Sequence, residues 1–276
     1  MDFSQYLNPL NIEDLKKKFQ NATPFPFVVI DHFLKEEFAE EIYSSFPSFN
    51  DAQKMGFEFK AVNELKKVQV TDTKQFPSPI QNLNMVLASP EFVSMVGEFT
   101  STPKLLADPE LVGGGIHLTS SGGHLDVHVD FNYIEKRKLH RRLNILVFFN
   151  KIWEKEWGGY TDFWDQQIKV CHHSLAPIFN RCIIFETSNI SFHGVTPIQC
   201  PSNQCRKSFA AYYYTLEAPA HWKGESHTTI FKARPHEKFK GYIQMPAEKM
   251  KNWGIKYLIP KSILPKLVKI KQKIFH

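Results

Sequence analysis

Gly122-Gly-His-Leu-Asp-Val-His-Val-Asp-Phe-Asn132 is the stretch on which the reading of this chain turns. Read as a strand, its side chains alternate, which sets His128 and Asp130 on one face and Val129 on the other. An imidazole and a carboxylate so placed supply two members of a facial two-histidine, one-carboxylate site for non-haem Fe(II). Ser191-Phe-His193-Gly-Val-Thr-Pro197 offers the third ligand, and Arg206-Lys-Ser208 follows it, opening the run Phe209-Ala-Ala-Tyr-Tyr-Tyr-Thr215. Alone, His-x-Asp is a common tripeptide that a half-exposed strand explains equally well. Its surroundings have to decide.

Downstream, Arg142-Leu-Asn-Ile-Leu-Val-Phe-Phe-Asn150 reads as a long strand. Its odd face (Leu143, Ile145, Val147, Phe149) is wholly apolar and suited to packing on helices, while Asn144 sits on the even face with Leu146 and Phe148. Shorter strands follow at Gly158 to Asp165, Lys169 to His173 and Cys182 to Glu186. The Arg206–Thr215 strand then aligns Arg206, Ser208, Ala210 and Tyr212 on one face. Strands spaced in this way predict a sandwich or barrel, of which the jelly roll commonly holds a metal in its mouth.

Upstream the texture is helical. A helix is expected over Ile12 to Phe19, and a β-branched strand over Pro24 to Ile30. A second helix, capped by Asp31, follows on Leu34, Phe38 and Ile42, and another, capped by the Ser89 hydroxyl with Pro90 in its first turn, runs to Thr100. Residues 48–78 are polar and mixed, with Lys66 to Thr71 a further short strand, and no ligand cluster lies in the first hundred residues.

The bulk numbers narrow the class. A chain of 276 residues, 42% hydrophobic and 14% aromatic with 24 Phe, buries a sizeable core and is not disordered. No leader-like N-terminus and no apolar run near the ~20 residues of a membrane span appear, so a soluble, cytoplasmic protein is expected. Cys171, Cys182, Cys200 and Cys205 are too few for a disulfide framework and predict free thiols. The net charge of +6 belongs to the end of the chain: residues 249–276 hold eight Lys and no Asp or Glu, leaving −2 elsewhere. That end alternates basic and apolar residues and predicts a short basic helix, a surface anchor or dimer contact; no nucleic-acid motif accompanies it.

Taken together, residues 115–215 resemble the double-stranded β-helix of the Fe(II)/2-oxoglutarate-dependent dioxygenases, in the prolyl 4-hydroxylase-like branch that includes the oxygen-sensing prolyl hydroxylases. The resemblance rests on His128-x-Asp130, Phe149-Asn150-Lys151-x-Trp153, Gly158-Gly159, Pro177-x-Phe-x-Arg-x-x-x-Phe185, His193-x-Val195-x-Pro197 and Arg206, in that order. It implies one oxygenase domain over 1–276 of α+β class. Mostly helical support spans 1–110, a jelly-roll catalytic core 111–217 and a C-terminal extension 218–276. It implies His128, Asp130 and His193 as Fe(II) ligands, 2-oxoglutarate and O2 as cosubstrates, and ascorbate as a supporting reductant. Arg206 is then the anchor of the distal carboxylate of 2-oxoglutarate, a task for which a planar guanidinium fork is shaped. Ser208 and Asn144 are further candidate donors to that carboxylate. The oxygen-sensing relatives use a tyrosine where this chain has Phe148, so the carboxylate seat has to be completed differently.

The implied reaction is hydroxylation of an unactivated C–H bond, with 2-oxoglutarate converted to succinate and CO2. A prolyl or other amino-acid-type substrate, free or peptide-bound, is the leading class. The alternatives are another small molecule of natural-product or sugar metabolism, a non-catalytic cupin-like binding protein, and a zinc hydrolase, for which no His-Glu-x-x-His is present. His124 and Asp126 are candidates for the entrance, Tyr133 and Trp164 for substrate contacts, and the segment His227 to Pro235 for a lid or edge.

Overall fold

The computed structural model describes residues 5–220 and 222–247. Among the described residues, five α-helices lie before residue 100: α1 (Ile12–Asn21), α2 (Glu36–Ser45), α3 (Phe49–Met55), α4 (Ser78–Ala88) and α5 (Pro90–Phe99). Between them run β1 (Phe27–Ile30), β2 (Phe57–Lys60) and β3 (Glu64–Val70), and after them β4 (Leu106–Ala107). The core strands are β5 (Gly115–Val129), β6 (Tyr133–Ile134), β7 (Leu139–Phe148), β8 (Thr161–Trp164), β9 (Cys171–Leu175), β10 (Arg181–Glu186), β11 (His193–Val195) and β12 (Cys205–Thr215). β13 (Ile230–Lys232) returns after them. The expected basic helix near the end of the chain lies outside the described residues.

All pairings are antiparallel, and β5 is the spine. Its first half is flanked by β12 and β3; beyond β12 the order continues through β7 and β10 to β1. Its second half is flanked by β11, with β8 and β9 beyond, and by β13. A strand shared in this way curls the sheet into the jelly-roll core the sequence predicts. The bend between the halves favours glycine, since Gly122 has φ +80°, a conformation that residues with a Cβ rarely adopt.

Strand alternation sorts β7 as expected. Leu143, Ile145, Val147 and Phe149 are fully buried in one cluster with Phe33, Leu34, Ile42, Leu83, Phe92 and Val96 of the helical layer. Burial of each such side chain is worth roughly 1.5–3 kcal/mol. The opposite face turns Asn144, Leu146 and Phe148 into the barrel.

Two expected caps are employed elsewhere. Asp31 does not cap α2, whose N-cap position is Lys35 and carries no side-chain cap; it takes Arg181 through both carboxylate oxygens at 2.6 and 2.9 Å. The Ser89 hydroxyl donates back to the Val86 carbonyl at the end of α4 rather than opening α5. All four cysteines are free, and no helix of the described residues is long and apolar enough to cross a membrane.

Asn180 ties the helical layer to the barrel. It sits at φ +58°, a conformation asparagine tolerates, and is 1% exposed. Its side chain accepts from the Leu34 amide and donates to the Leu34 carbonyl, both at 2.8 Å. Asn180→Ala orphans the buried Leu34 N–H and places alanine in the left-handed region, a combined loss of about 3 kcal/mol. Urea denaturation will read this as a lower midpoint with an unchanged slope.

Candidate active site

His128 lies near the end of β5 and faces His193, the first residue of β11, in direct register. That pairing brings the two rings to 4.3 Å between centroids. β11 approaches this closely because residue 194 is glycine: a Cβ there would meet the Leu125 carbonyl oxygen at 2.9 Å. Asp130 follows β5 by one residue, with carboxylate oxygens 3.6 Å from His128 Nε2 and 3.5 Å from His193 Nε2. One ligand atom from each of the three residues falls within 4.8 Å of the others.

The protonation states suit a cation. Each Nδ1 faces a backbone carbonyl, His128 that of Asp126 at 2.8 Å and His193 that of Ser191 at 2.9 Å. A carbonyl only accepts, so Nδ1 carries the hydrogen and the Nε2 lone pair points to the shared centre. Burial, then the neighbouring His128, pushes the His193 pKa down to about 3. Burial alone would raise the Asp130 pKa, but the Arg141 guanidinium and the two histidines overcome it and hold the carboxyl well below its ordinary range. A neutral imidazole and an ionised carboxylate are the forms that ligate a metal. The donor set fits Fe(II), with half of the coordination sphere left to a cosubstrate and oxygen.

Asp130 is held from behind by a buried network that strand reading missed. Asn144 Nδ2 donates to Asp130 Oδ2 at 2.7 Å, and Arg141 reaches the same oxygen at 3.1 Å. Arg141 also donates to Asn144 Oδ1 through Nε and Nη2, at 3.0 and 2.7 Å. Its guanidinium lies over Tyr212 at 3.6 Å and Phe131 at 4.6 Å. By alternation Arg141 belongs with Leu143 on the helix side. A bulge, in which Tyr213 pairs with Leu143 and Tyr214 with Arg141, turns it inward. No pattern of residue types announces that bulge.

This network corrects the expectation for Asn144. Its amide serves Asp130, Arg141 and Thr187. It also lies four residues along β7 from Phe148, the residue opposite Ser208, a separation of roughly 13 Å at strand rise. Asn144→Ala will therefore weaken Fe(II) affinity about 10- to 100-fold, the usual effect of losing a group that orients a ligand. Anaerobic calorimetric titration of Fe(II) checks it.

At the other end of the cavity, Arg206 is 5% exposed and has no carboxylate within 4 Å among the described residues. Its Nε donates to the Gly159 carbonyl at 2.8 Å and Nη2 to Thr161 Oγ1 at 3.0 Å, while the guanidinium lies 4.9 Å from the Phe148 ring. Burial without a counter-charge lowers its pKa to about 9. Ser208, 1% exposed, lines the same wall, as does Thr161, which the sequence reading passed over because nothing distinguishes a threonine at a strand start. A buried cation lacking an anion fits an organic acid, and Thr161 and Ser208 supply hydroxyls where Phe148 does not.

His128, Asp130, His193, Arg206 and Ser208 all line one cavity of about 290 Å³, with Asn144 and Arg141 in its wall. β13 closes one side: Phe231 pairs with His128 in register, and their rings stand 5.3 Å apart. His124 lines the cavity as expected. Asp126 does not: it is fully buried and takes the Lys240 ammonium at 2.6 Å, fastening the segment that follows β13. Trp164 packs with Val127, Val129 and Phe192, and Tyr133 stacks near His140 and Trp222; neither lines the cavity.

Residues 114–214 match the family model of the 2OG-Fe(II) oxygenase superfamily. Within these residues the chain carries a 2OG-Fe(II) oxygenase domain. Fe(II) is its cofactor and 2-oxoglutarate its cosubstrate, both accommodated by the donor set just described. Among solved structures, this oxygenase is similar to the non-haem alpha-ketoglutarate-dependent carbocyclase SnoK from nogalamycin biosynthesis. That match has 10% identity and a TM-score of 0.52, covering 86% of this chain and 93% of that one. A prolyl hydroxylase of Trichoplax adhaerens, solved with a hypoxia inducible factor peptide, gives 18% identity and a TM-score of 0.48 over 74% and 90% of the two chains. HygX of Streptomyces hygroscopicus gives 10% and 0.48 over 77% and 95%. At these identities the likeness concerns the fold alone. No curated protein sequence matches the oxygenase.

Proposed function

We propose that the enzyme hydroxylates an unactivated C–H bond of a prolyl or other amino-acid-type substrate, converting 2-oxoglutarate to succinate and CO2. The observation that carries this reading is one cavity holding both a metal-competent triad and a buried guanidinium without an anion. His128, Asp130 and His193 are its iron ligands, and Arg206, with Thr161 and Ser208, seats the distal carboxylate. When bound, Fe(II) and 2-oxoglutarate supply the oxidising equivalent from O2.

The protein's own part is orientation and exclusion of water. Arg141 and Asn144 fix Asp130 Oδ2 and so hold the carboxylate beside both Nε2 atoms, and Phe231 covers His128. Retention of the carboxylate at Asp130 favours hydroxylation over halogenation, which needs that coordination position open. A cupin-like binder or a zinc hydrolase has no use for Arg206. Incubation of the Fe(II)-loaded enzyme with 2-oxoglutarate, ascorbate and a substrate pool tests the reading. Succinate must form, and one component must gain one oxygen by mass spectrometry; absence of succinate rejects it.

A further inference from the structure

The β2–β3 hairpin contributes two opposite charges to the cavity that the iron site and Arg206 do not use. Glu64 and Lys67 pair at 2.9 Å, each side chain is 14% exposed, and both line the same cavity as His128, Asp130 and His193. Residues three apart on a strand would normally face opposite sides. Here a bulge between Leu65 and Lys67, with Lys66 at φ +51°, sends Lys66 out to the Ser121 carbonyl and turns Glu64 and Lys67 inward together. The Lys67 ammonium also lies 5.1 Å from the Phe59 ring centroid.

Resting on the oxygenase reading above, we propose that Glu64 and Lys67 are the specificity pair for a free α-amino acid, recognised as its zwitterion. An α-amino acid presents an ammonium and a carboxylate on one carbon, and a Glu–Lys pair in contact presents the complementary two charges side by side. Partner exchange puts the substrate ammonium on Glu64 and its carboxylate on Lys67, so no uncompensated charge is buried. A peptide-bound residue brings neutral amides, which gain nothing from breaking the pair and leave both charges to be desolvated.

The seat is separate from that of the cosubstrate. Lys67 lies opposite Thr119 of β5, and Thr119 lies opposite Arg206 of β12, so two strand spacings, roughly 10 Å, part their backbones. The cavity thus has two cationic seats, Arg206 for the cosubstrate acid and Lys67 for the substrate acid. Leu125, Phe131, Val195 and Phe231 give the amino-acid side chain an apolar wall beside the iron ligands.

The test uses the full-length, Fe(II)-loaded enzyme with 2-oxoglutarate, and the free L-amino acids against the same residues as N-acetyl amides. Succinate above the substrate-free background and a gain of one oxygen are read together. At least one free amino acid is expected to be turned over with kcat/KM tenfold or more above its capped form. Glu64→Gln and Lys67→Met are each expected to raise its KM tenfold or more while the KM for 2-oxoglutarate stays within twofold, which also shows the variants are folded. Equal or better use of capped forms overturns the proposal, as does a Lys67→Met effect that falls on the KM for 2-oxoglutarate instead. Substrate-free succinate production with no response to any free amino acid overturns it too, yet leaves the oxygenase reading standing. Only absence of succinate under all conditions removes both.

Discussion

Methionine in place of Arg206 will raise the KM for 2-oxoglutarate by two to three orders of magnitude and leave the stability of the cosubstrate-free protein within about 1 kcal/mol of the parent. The first part follows from what the guanidinium does. Truncating one partner of a buried, hydrogen-bonded charge pair costs about 2–5 kcal/mol, and each 1.4 kcal/mol is a factor of ten in affinity. The second part follows from what the guanidinium lacks. Without an anion it is a desolvated cation whose pKa has fallen from the ordinary 12.5 to about 9. A base with a depressed folded pKa penalises the fold at neutral pH, and the penalty fades as pH rises through 9 and beyond. Methionine removes that penalty and also the hydrogen bonds to Gly159 and Thr161, so the two effects offset. For the same reason 2-oxoglutarate will raise the Tm of the parent and leave that of Arg206→Met unchanged. Steady-state kinetics in 2-oxoglutarate and paired thermal melts check both parts.

Asp130→Ala carries the other large effect, and it divides differently. Succinate production will fall at least a thousandfold, as it will for His128→Ala and His193→Ala, because the iron loses a ligand. Asp130→Ala alone will also destabilise the metal-free protein, by about 3–5 kcal/mol. Arg141 is 1% exposed in its side chain, and Asp130 is its carboxylate partner at 3.1 Å. Removing one member of a buried pair strands the other. Neither histidine replacement removes the carboxylate partner of Arg141, and His193 is neutral at working pH. Urea denaturation of the three metal-free variants separates ligand loss from network loss.

How much of this was legible in the sequence depended on whether alternation held. His128 and Asp130 follow the period of two, and the apolar odd face of β7 announced the layer beneath it. His193 was placed by motif and order, and the register of β11 on β5 brought it home. Arg141, Glu64 and Lys67 stayed hidden because bulges reverse their faces, and a bulge is a property of strand pairing that composition does not encode. α4 carries buried Ile80, Leu83, Val86 and Leu87 at helical spacing, and it went unpredicted although proline in a first turn, as at Pro79, is compatible with a helix start. Asp31 and Ser89 looked like caps from local sequence, and one of them was claimed by Arg181, 150 residues away.

Three side chains from distant points of the chain are proposed to hold one Fe(II). Anaerobic calorimetric titration of Fe(II) into the metal-free protein tests it most directly, run on the parent and on alanine variants at His128, Asp130, His193, His117 and His124. One Fe(II) per chain is expected in the parent, with binding abolished at each of the first three positions and retained at the last two. Full affinity in any one of the first three variants, or loss that tracks His117 or His124, contradicts it.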